Sequence, residues 1–319
     1  MITVPVNPNL QPEAVELLKY LASIEGRGIL TGQHTLTRPQ EELQLILKET
    51  GKLPAVCGFE LLAYSPNIHL EGASEACITE VENNRGTLNE AFAWAEKGGI
   101  LTFTWHWYSP LGGHDKAFYS ENTDFDPEKA LLEGTEENRA FVHDLDHMAE
   151  VLKPFCDKHI PILWRPFHEA EGGWFWWGRK GAEVARELYR FMFRYYIGHH
   201  HLDNLIWVWN SPRADGYVGD EYCDILSRDQ YPPAHAHGAF RDRYDELKSI
   251  TATKGLAIAE TGVIPDGDAL IAEKAPWLWY MTWSGGFVLS EEHNSFNALR
   301  RLYHHDYAIT LDKLPWVKK

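Results

Sequence analysis

Eight short apolar runs recur along this chain, and the segments between them switch to the three-and-four spacing of amphipathic helices. The runs lie at residues 28–34, 55–63, 99–106, 160–167, 205–210, 224–231, 255–260 and 277–283. They are mostly continuous rather than alternating, which marks strands covered on both faces. The sixth is the weakest, because Ser227-Arg228-Asp229-Gln230 interrupts its apolar character. Between the runs, Leu43, Ile46 and Leu47 share one face of a helical segment that stops at Gly51. Another, 87–97, stops at Gly98-Gly99. Thr135-Glu136-Glu137-Asn138 opens a long helix like a capping motif, ahead of a stripe of Phe141, Leu145, Met148, Val151 and Leu152. Segments 182–197 and 240–253 behave likewise. Strand–helix alternation repeated eight times predicts an α/β chain closed as a single (β/α)8 TIM barrel, one domain over residues 1–319. Length alone would allow one domain or two, but no linker, low-complexity tract or composition shift divides the chain.

A barrel of this kind gathers its chemistry where the strands end. Polar or aromatic residues finish nearly every run: His34, Trp105 with His106, Glu169, Asn210, Tyr231, Glu260 and Trp283. The strand beginnings carry no such cluster. The longest loop, 107–134, belongs to the same face, and loops of that length in compact domains are usually functional.

Two of those residues carry the chemical argument. Trp164-Arg165-Pro166-Phe167-His168-Glu169 leaves the fourth run and leads into Gly172-Gly173-Trp174-Phe175-Trp176-Trp177-Gly178. Ala259-Glu260-Thr261-Gly262 leaves the seventh. Cleavage of a glycosidic bond needs two carboxyls facing it, one to protonate the leaving oxygen and one to attack or to activate water. Glu169 sits among aromatic rings, which raises a carboxyl pKa as an acid requires. Glu260 leaves through small polar residues, with Tyr231 on the neighbouring strand end to bond it and hold it ionised. The aromatic run 174–177 is expected to split, with one or two rings facing sugar and the rest packing inward.

Composition removes other classes. A net charge of −16 argues against nucleic acid. No stretch approaches the roughly 18 apolar residues of a membrane span. The start, Met-Ile-Thr-Val-Pro, shows no signal-peptide pattern. Thirteen tryptophans either stack on carbohydrate or fill a Trp-rich core. Cys57 reads as a buried thiol, and the pairing of Cys77, Cys156 and Cys223 is open. His199-His200-His201 looks like a metal cluster, but it ends a helix, where cationic side chains favour the dipole, and the latter reading ranks higher. His34, His106 and His168 lie where barrel metal ligands lie. Yet the first strand has no His-x-His and the fourth no bridging lysine, so sugar contact ranks above metal. Neither a phosphate-binding loop nor a Gly-x-Ser-x-Gly elbow is present.

The strings Trp164–Glu169, Gly173–Gly178 and 259–262, with residues 28–34 and Thr104-Trp105-His106-Trp107, resemble glycoside hydrolase family 26, the clan A β-mannanases. The likeness runs from the first strand to the eighth. It implies retaining endo-hydrolysis of β-1,4-mannosidic bonds in mannan, glucomannan or galactomannan. It implies Glu169 as acid/base, Glu260 as nucleophile and His168 beside the acid. Tyr231 would bond the nucleophile and His106 the bound mannose. Trp174 would flank the leaving group and Trp283, chosen over Trp277 and Trp279, would floor the sugar. No cofactor and no metal are implied, and the partner is a mannan-type polysaccharide or manno-oligosaccharide rather than nucleic acid or membrane. The chain departs from the family at Ala170-Glu171, where members often carry Met-Asn. Two further readings stand beside this one: the same mechanism on mixed-linkage β-glucan or β-1,3-xylan, and a barrel that binds sugar without cutting it. Because a polymer is met outside the cell, a secreted protein with its signal removed is expected.

Overall fold

The computed structural model describes residues 4–37 and 40–317. Eight parallel strands close into a barrel: β1 (Gly32–His34), β2 (Val56–Glu60), β3 (Ile100–Thr104), β4 (Ile162–Arg165), β5 (Leu205–Asn210), β6 (Ile225–Gln230), β7 (Gly255–Thr261) and β8 (Tyr280–Thr282). The Gln33–Thr282 pair joins the last strand to the first. This is the TIM-barrel architecture that the alternating pattern predicts.

Each strand is nearly all buried, so its residues read as a continuous apolar run. Amphipathic helices supply the outer cover. The helix Glu136–Asp157 begins where the Thr135 side chain accepts from the Asn138 N–H, as its capping motif implies. Phe141, Leu145, Met148 and Leu152 of that helix are buried against the barrel, with Val151 at the edge of the stripe. The helix Pro12–Ile24 packs Leu17, Leu18 and Leu21 into the same core.

The strands are shorter than the runs that announce them. The first run divides: Ile29–Leu30 pairs with Ala308–Ile309 outside the barrel, and only Gly32–His34 enters it. At the join the Gly32 backbone passes so near the Tyr280 carbonyl that a Cβ would lie 2.2 Å from its oxygen. The fourth run stops at Arg165 because Pro166 has no N–H and Phe167 turns to a φ of 54°. The eighth begins only at Tyr280, leaving Trp277 and Trp279 below it in the core. All four cysteines are buried and free.

The tryptophan excess has mainly a packing origin. Ten of the 13 are buried: Trp94, Trp105, Trp107, Trp164, Trp176, Trp177, Trp207, Trp209, Trp277 and Trp279. The core therefore accounts for most of what composition offered as a pointer to sugar. Among the described residues, no helix is long and apolar enough to cross a membrane.

Candidate active site

Most strand-end residues gather at one mouth. The Glu169 N–H donates to Asn210 Oδ1 at 3.1 Å, and Asn210 Nδ2 donates to Asp229 Oδ1 at 2.8 Å. Asp229 and Glu260 are paired across β6 and β7, and the register slips between Arg228 and Asp229. A second slip, between β7 and β8, lies between Ile258 and Thr261. Such irregularities re-aim side chains, and these two flank the acidic cluster. One carboxylate oxygen from each of Glu169, Asp229 and Glu260 lies within 4.8 Å of the others. Trp105 does not join them: it is buried, stacks on Trp107 at 4.0 Å and donates through Nε1 to Ser65.

Backbone geometry helps to turn Glu169 into the mouth. Both Phe167 and Glu169 adopt left-handed conformations, with φ of 54° and 52°. Non-glycine residues avoid that region, and strain of this sort is concentrated at functional sites. Trp174 Nε1 then donates to Glu169 Oε2 at 3.0 Å. The aromatic run splits as its sequence suggests. Trp174 is 46% exposed, whereas Phe175, Trp176 and Trp177 are buried. Trp176 and Trp177 donate to the carbonyls of Trp107 and His168, so they brace the loop and the acid from behind. The long loop is anchored rather than loose: Ser120 bonds the Trp174 and Gly173 carbonyls, and Phe118 and Phe125 are buried.

Arg165 is the cation of the acidic cluster. Its guanidinium donates to Asp229 at 2.6 Å, to Glu260 Oε2 at 3.0 Å and to Thr104 at 2.8 Å. The Tyr231 hydroxyl donates to Glu260 Oε1. Both glutamates titrate high. Burial, then the Asp229 charge, pushes Glu169 up to about 7, and the same two causes push Glu260 up to about 8. The two therefore behave as one pair sharing a proton. The two carboxyls differ in their donors. Glu260 accepts from a guanidinium and a phenol, which favours its ionised form, while Glu169 accepts from the Trp174 indole N–H. Burial and the Asp229 charge work against those donors and leave Glu260 the higher of the two. Tyr231 bonds Glu260 as expected and favours its ionised form, and Arg165 adds to this, while burial and Asp229 oppose it.

On the other side of the mouth stands a histidine group. His106 Nδ1 lies 2.7 Å from Glu60 Oε2, and its backbone N–H donates to Glu60 Oε1. Its Nε2 is 3.2 Å from His168 Nε2. Burial lowers the His106 pKa, but Glu60's charge and hydrogen bond outweigh it and the net shift is upward. Burial, helped by His106 and Arg165, holds His168 well below the usual imidazole range. A neutral His168 thus shares one hydrogen bond with His106 through the two Nε2 atoms. The ring of His34 stacks on Trp283 at 4.0 Å, so the half-buried indole closes this side, while Trp277 and Trp279 remain in the core. Glu171, the departure from the expected motif, is partly buried beside Ser211, and burial raises its pKa.

Three participants were not singled out from the sequence: Glu60, Asp229 and the binding role of Arg165. Glu60 had a visible signal, a lone carboxylate inside the apolar run Phe59-Glu60-Leu61-Leu62. Asp229 had none, because its side chain is aimed by a register slip.

The sequence from residue 6 to 313 matches the model of glycosyl hydrolase family 26. The chain belongs to that family. A mannan endo-1,4-beta-mannosidase of Thermothelomyces thermophilus is 40% identical over 97% of this chain, which spans 62% of that protein. Mannan endo-1,4-beta-mannosidase B of Piromyces sp is 31% identical, and the chain spans 53% of it. Among solved structures, the Podospora anserina GH26-CBM35 beta-(1,4)-mannanase superposes with a TM-score of 0.90 at 36% identity, over 99% of this chain and 70% of that one. A beta-mannanase from a symbiotic protist of the termite Reticulitermes speratus, complexed with gluco-manno-oligosaccharide, gives 0.88 at 31% identity, over 99% and 98%. The family 26 assignment thus covers the whole barrel and the mouth described above.

Proposed function

We propose that this chain is a retaining endo-β-1,4-mannanase acting on mannan, glucomannan or galactomannan. The observation that carries the mechanism is the spacing of the two glutamates. Retaining enzymes hold their carboxyls about 5–5.5 Å apart and inverting ones roughly 6.5–9.5 Å apart. A Glu169 oxygen lies within 4.8 Å of a Glu260 oxygen, which leaves no room for a water between Glu260 and the anomeric carbon. Family membership and relatives named as mannan endo-1,4-beta-mannosidases support the substrate.

In the first step Glu260 attacks the anomeric carbon while Glu169 passes its proton to the leaving oxygen. In the second, Glu169 takes a proton from water, which displaces Glu260 from the sugar. Arg165 and Tyr231 orient the nucleophile. With Glu169 protonated, Asp229 and Glu260 exceed Arg165 by one negative charge, and this favours the cationic oxocarbenium-like transition state. Trp174 flanks the leaving sugar, Trp283 floors the ring behind the bond, and His106 with His168 contacts the bound mannose. Action on a polymer places the enzyme outside the cell.

Product analysis tests the reading. Linear mannan and galactomannan should yield manno-oligosaccharides with the β-anomer formed first, and barley glucan should resist. Cleavage of barley glucan or β-1,3-xylan in preference to mannan would replace the substrate. Binding with no release of sugar from any of these would replace the enzyme with a lectin-like barrel.

A further inference from the structure

The triplet His199-His200-His201 lies far from the mouth. It closes the helix Ala182–Gly198, which leaves the mouth end of the barrel after β4 and returns the chain towards the start of β5 at Leu205. A helix C-terminus accounts for cationic side chains there. It does not account for what the fold brings against them. Asp146, from the middle of the helix Glu136–Asp157, places Oδ1 2.8 Å from His200 Nε2. One donor atom from each of Asp146, His199 and His200 lies within 4.8 Å of the other two. His201, at a φ of 52°, is not one of the three.

We propose that Asp146, His199 and His200 form a binding site for a divalent transition-metal ion, with zinc as its natural probe. Two imidazole nitrogens and one carboxylate oxygen make a borderline donor set that suits zinc, nickel or copper and disfavours magnesium and calcium. Three protein ligands leave the fourth tetrahedral position to water. At zinc–ligand bonds of about 2.0–2.2 Å, tetrahedral donors stand roughly 3.3 Å apart. The present spacing closes to that by rotation of the exposed His199 ring, since the Asp146–His200 pair is already at 2.8 Å.

Tyr195 supports the geometry, as outer partners do at metal sites. Its hydroxyl donates to Asp146 Oδ1 at 2.7 Å. Its ring stacks on His199 with centroids 4.9 Å apart and meets His200 edge-on at 5.1 Å. Carboxylate and both imidazoles are thus held around one aromatic ring. Among the described residues a second close set of donors, Glu169, Asp229 and Glu260, is all oxygen and is served by the Arg165 cation, so it offers a transition metal no nitrogen ligand. An ion at the histidine site ties two outer helices together and takes no part in cleavage.

Calorimetric titration of the full chain, stripped with chelator and dialysed, with zinc chloride at pH 7.5 tests the site. One equivalent should bind, at least tenfold more weakly at pH 5.5 because protons compete for the imidazoles. The double substitution His199→Ala, His200→Ala should weaken that binding at least tenfold and remove the zinc-induced rise in Tm, with mannan hydrolysis unchanged. Cobalt bound to the unsubstituted protein should show the visible bands of a four-coordinate nitrogen–oxygen site. Absence of stoichiometric binding, equal binding by the double variant, or a six-coordinate cobalt spectrum would each overturn the proposal. The cobalt spectrum also decides the matter should the variant fail to fold.

Discussion

Replacement of Glu260 by Ala should abolish turnover and preserve oligosaccharide affinity, because in the proposed mechanism the side chain attacks carbon while the flanking rings hold the sugar. Calorimetry with mannohexaose beside an activity assay checks this, and unchanged activity would exclude Glu260 as nucleophile. Two neighbours should move the pH profile in opposite directions. The Asp229 charge raises both glutamate pKa values, so Asp229→Asn should shift the alkaline limb of kcat/KM to lower pH. The Trp174 N–H lowers the Glu169 pKa, so Trp174→Phe should shift that limb to higher pH, by up to about one unit for loss of one hydrogen bond. Shifts of the same sign would show that the alkaline limb does not belong to Glu169. The glutamates themselves were legible in the sequence because each ends a continuous apolar run. Asp229 was not, since parity along a strand says nothing once the register slips.

The capping motif of the helix Glu136–Asp157 makes a prediction that belongs to the element. Thr135→Ala removes the acceptor for the Asn138 N–H and should cost about 1 kcal/mol, or about 2 °C in Tm, with activity intact. A fall much larger than this would mean that Thr135 also holds the preceding loop, where its hydroxyl donates to the Lys129 and Leu132 carbonyls. Helices were readable from spacing and stop signals, because an amphipathic face and its caps are local. Strand limits were less so. Extended apolar residues on either side of a strand look the same until their partners are known, as with residues 28–34 divided between two sheets. Trp277, Trp279 and Trp283 share an alternation, yet only Trp283 reaches the mouth, because β8 begins at Tyr280.

Stability of the whole molecule should fall as pH rises from about 5 to 8. Glu169 and Glu260 are raised from 4.5 to about 7 and about 8, so the native state holds protons that the unfolded chain has released. Stability from this source is complete below about 4.5 and is lost as pH climbs through the native values. Buried Asp144 and Asp224, each raised from 3.8 to about 6, act in the same direction over a lower window. Glu169→Gln should therefore be inactive, yet more resistant to heat than the parent at pH 8 and equal to it at pH 4.5. Differential scanning fluorimetry across that range decides, and a Tm that rises with pH in the parent would contradict the assignment. Chelator should lower Tm through the histidine site and leave hydrolysis unaffected, whereas lost activity would return a metal to the mouth.

The sequence by itself determined the architecture, the face on which strand-end residues gather and the two glutamates that meet there, because periodicity, chain punctuation and strand endings are encoded locally. Only tertiary structure decided which groups surround those acids. Arg165 meets Glu260 from β4, and Asp229 and Tyr231 meet it from β6 and its end. Glu60 reaches His106 across β2 and β3 in the same way. It also decided that most of the tryptophans are core, and that a histidine triplet at a helix end faces an aspartate 54 residues away. Electrostatic fields and ligand sets depend on distance in space, and distance in space is fixed only when the barrel closes.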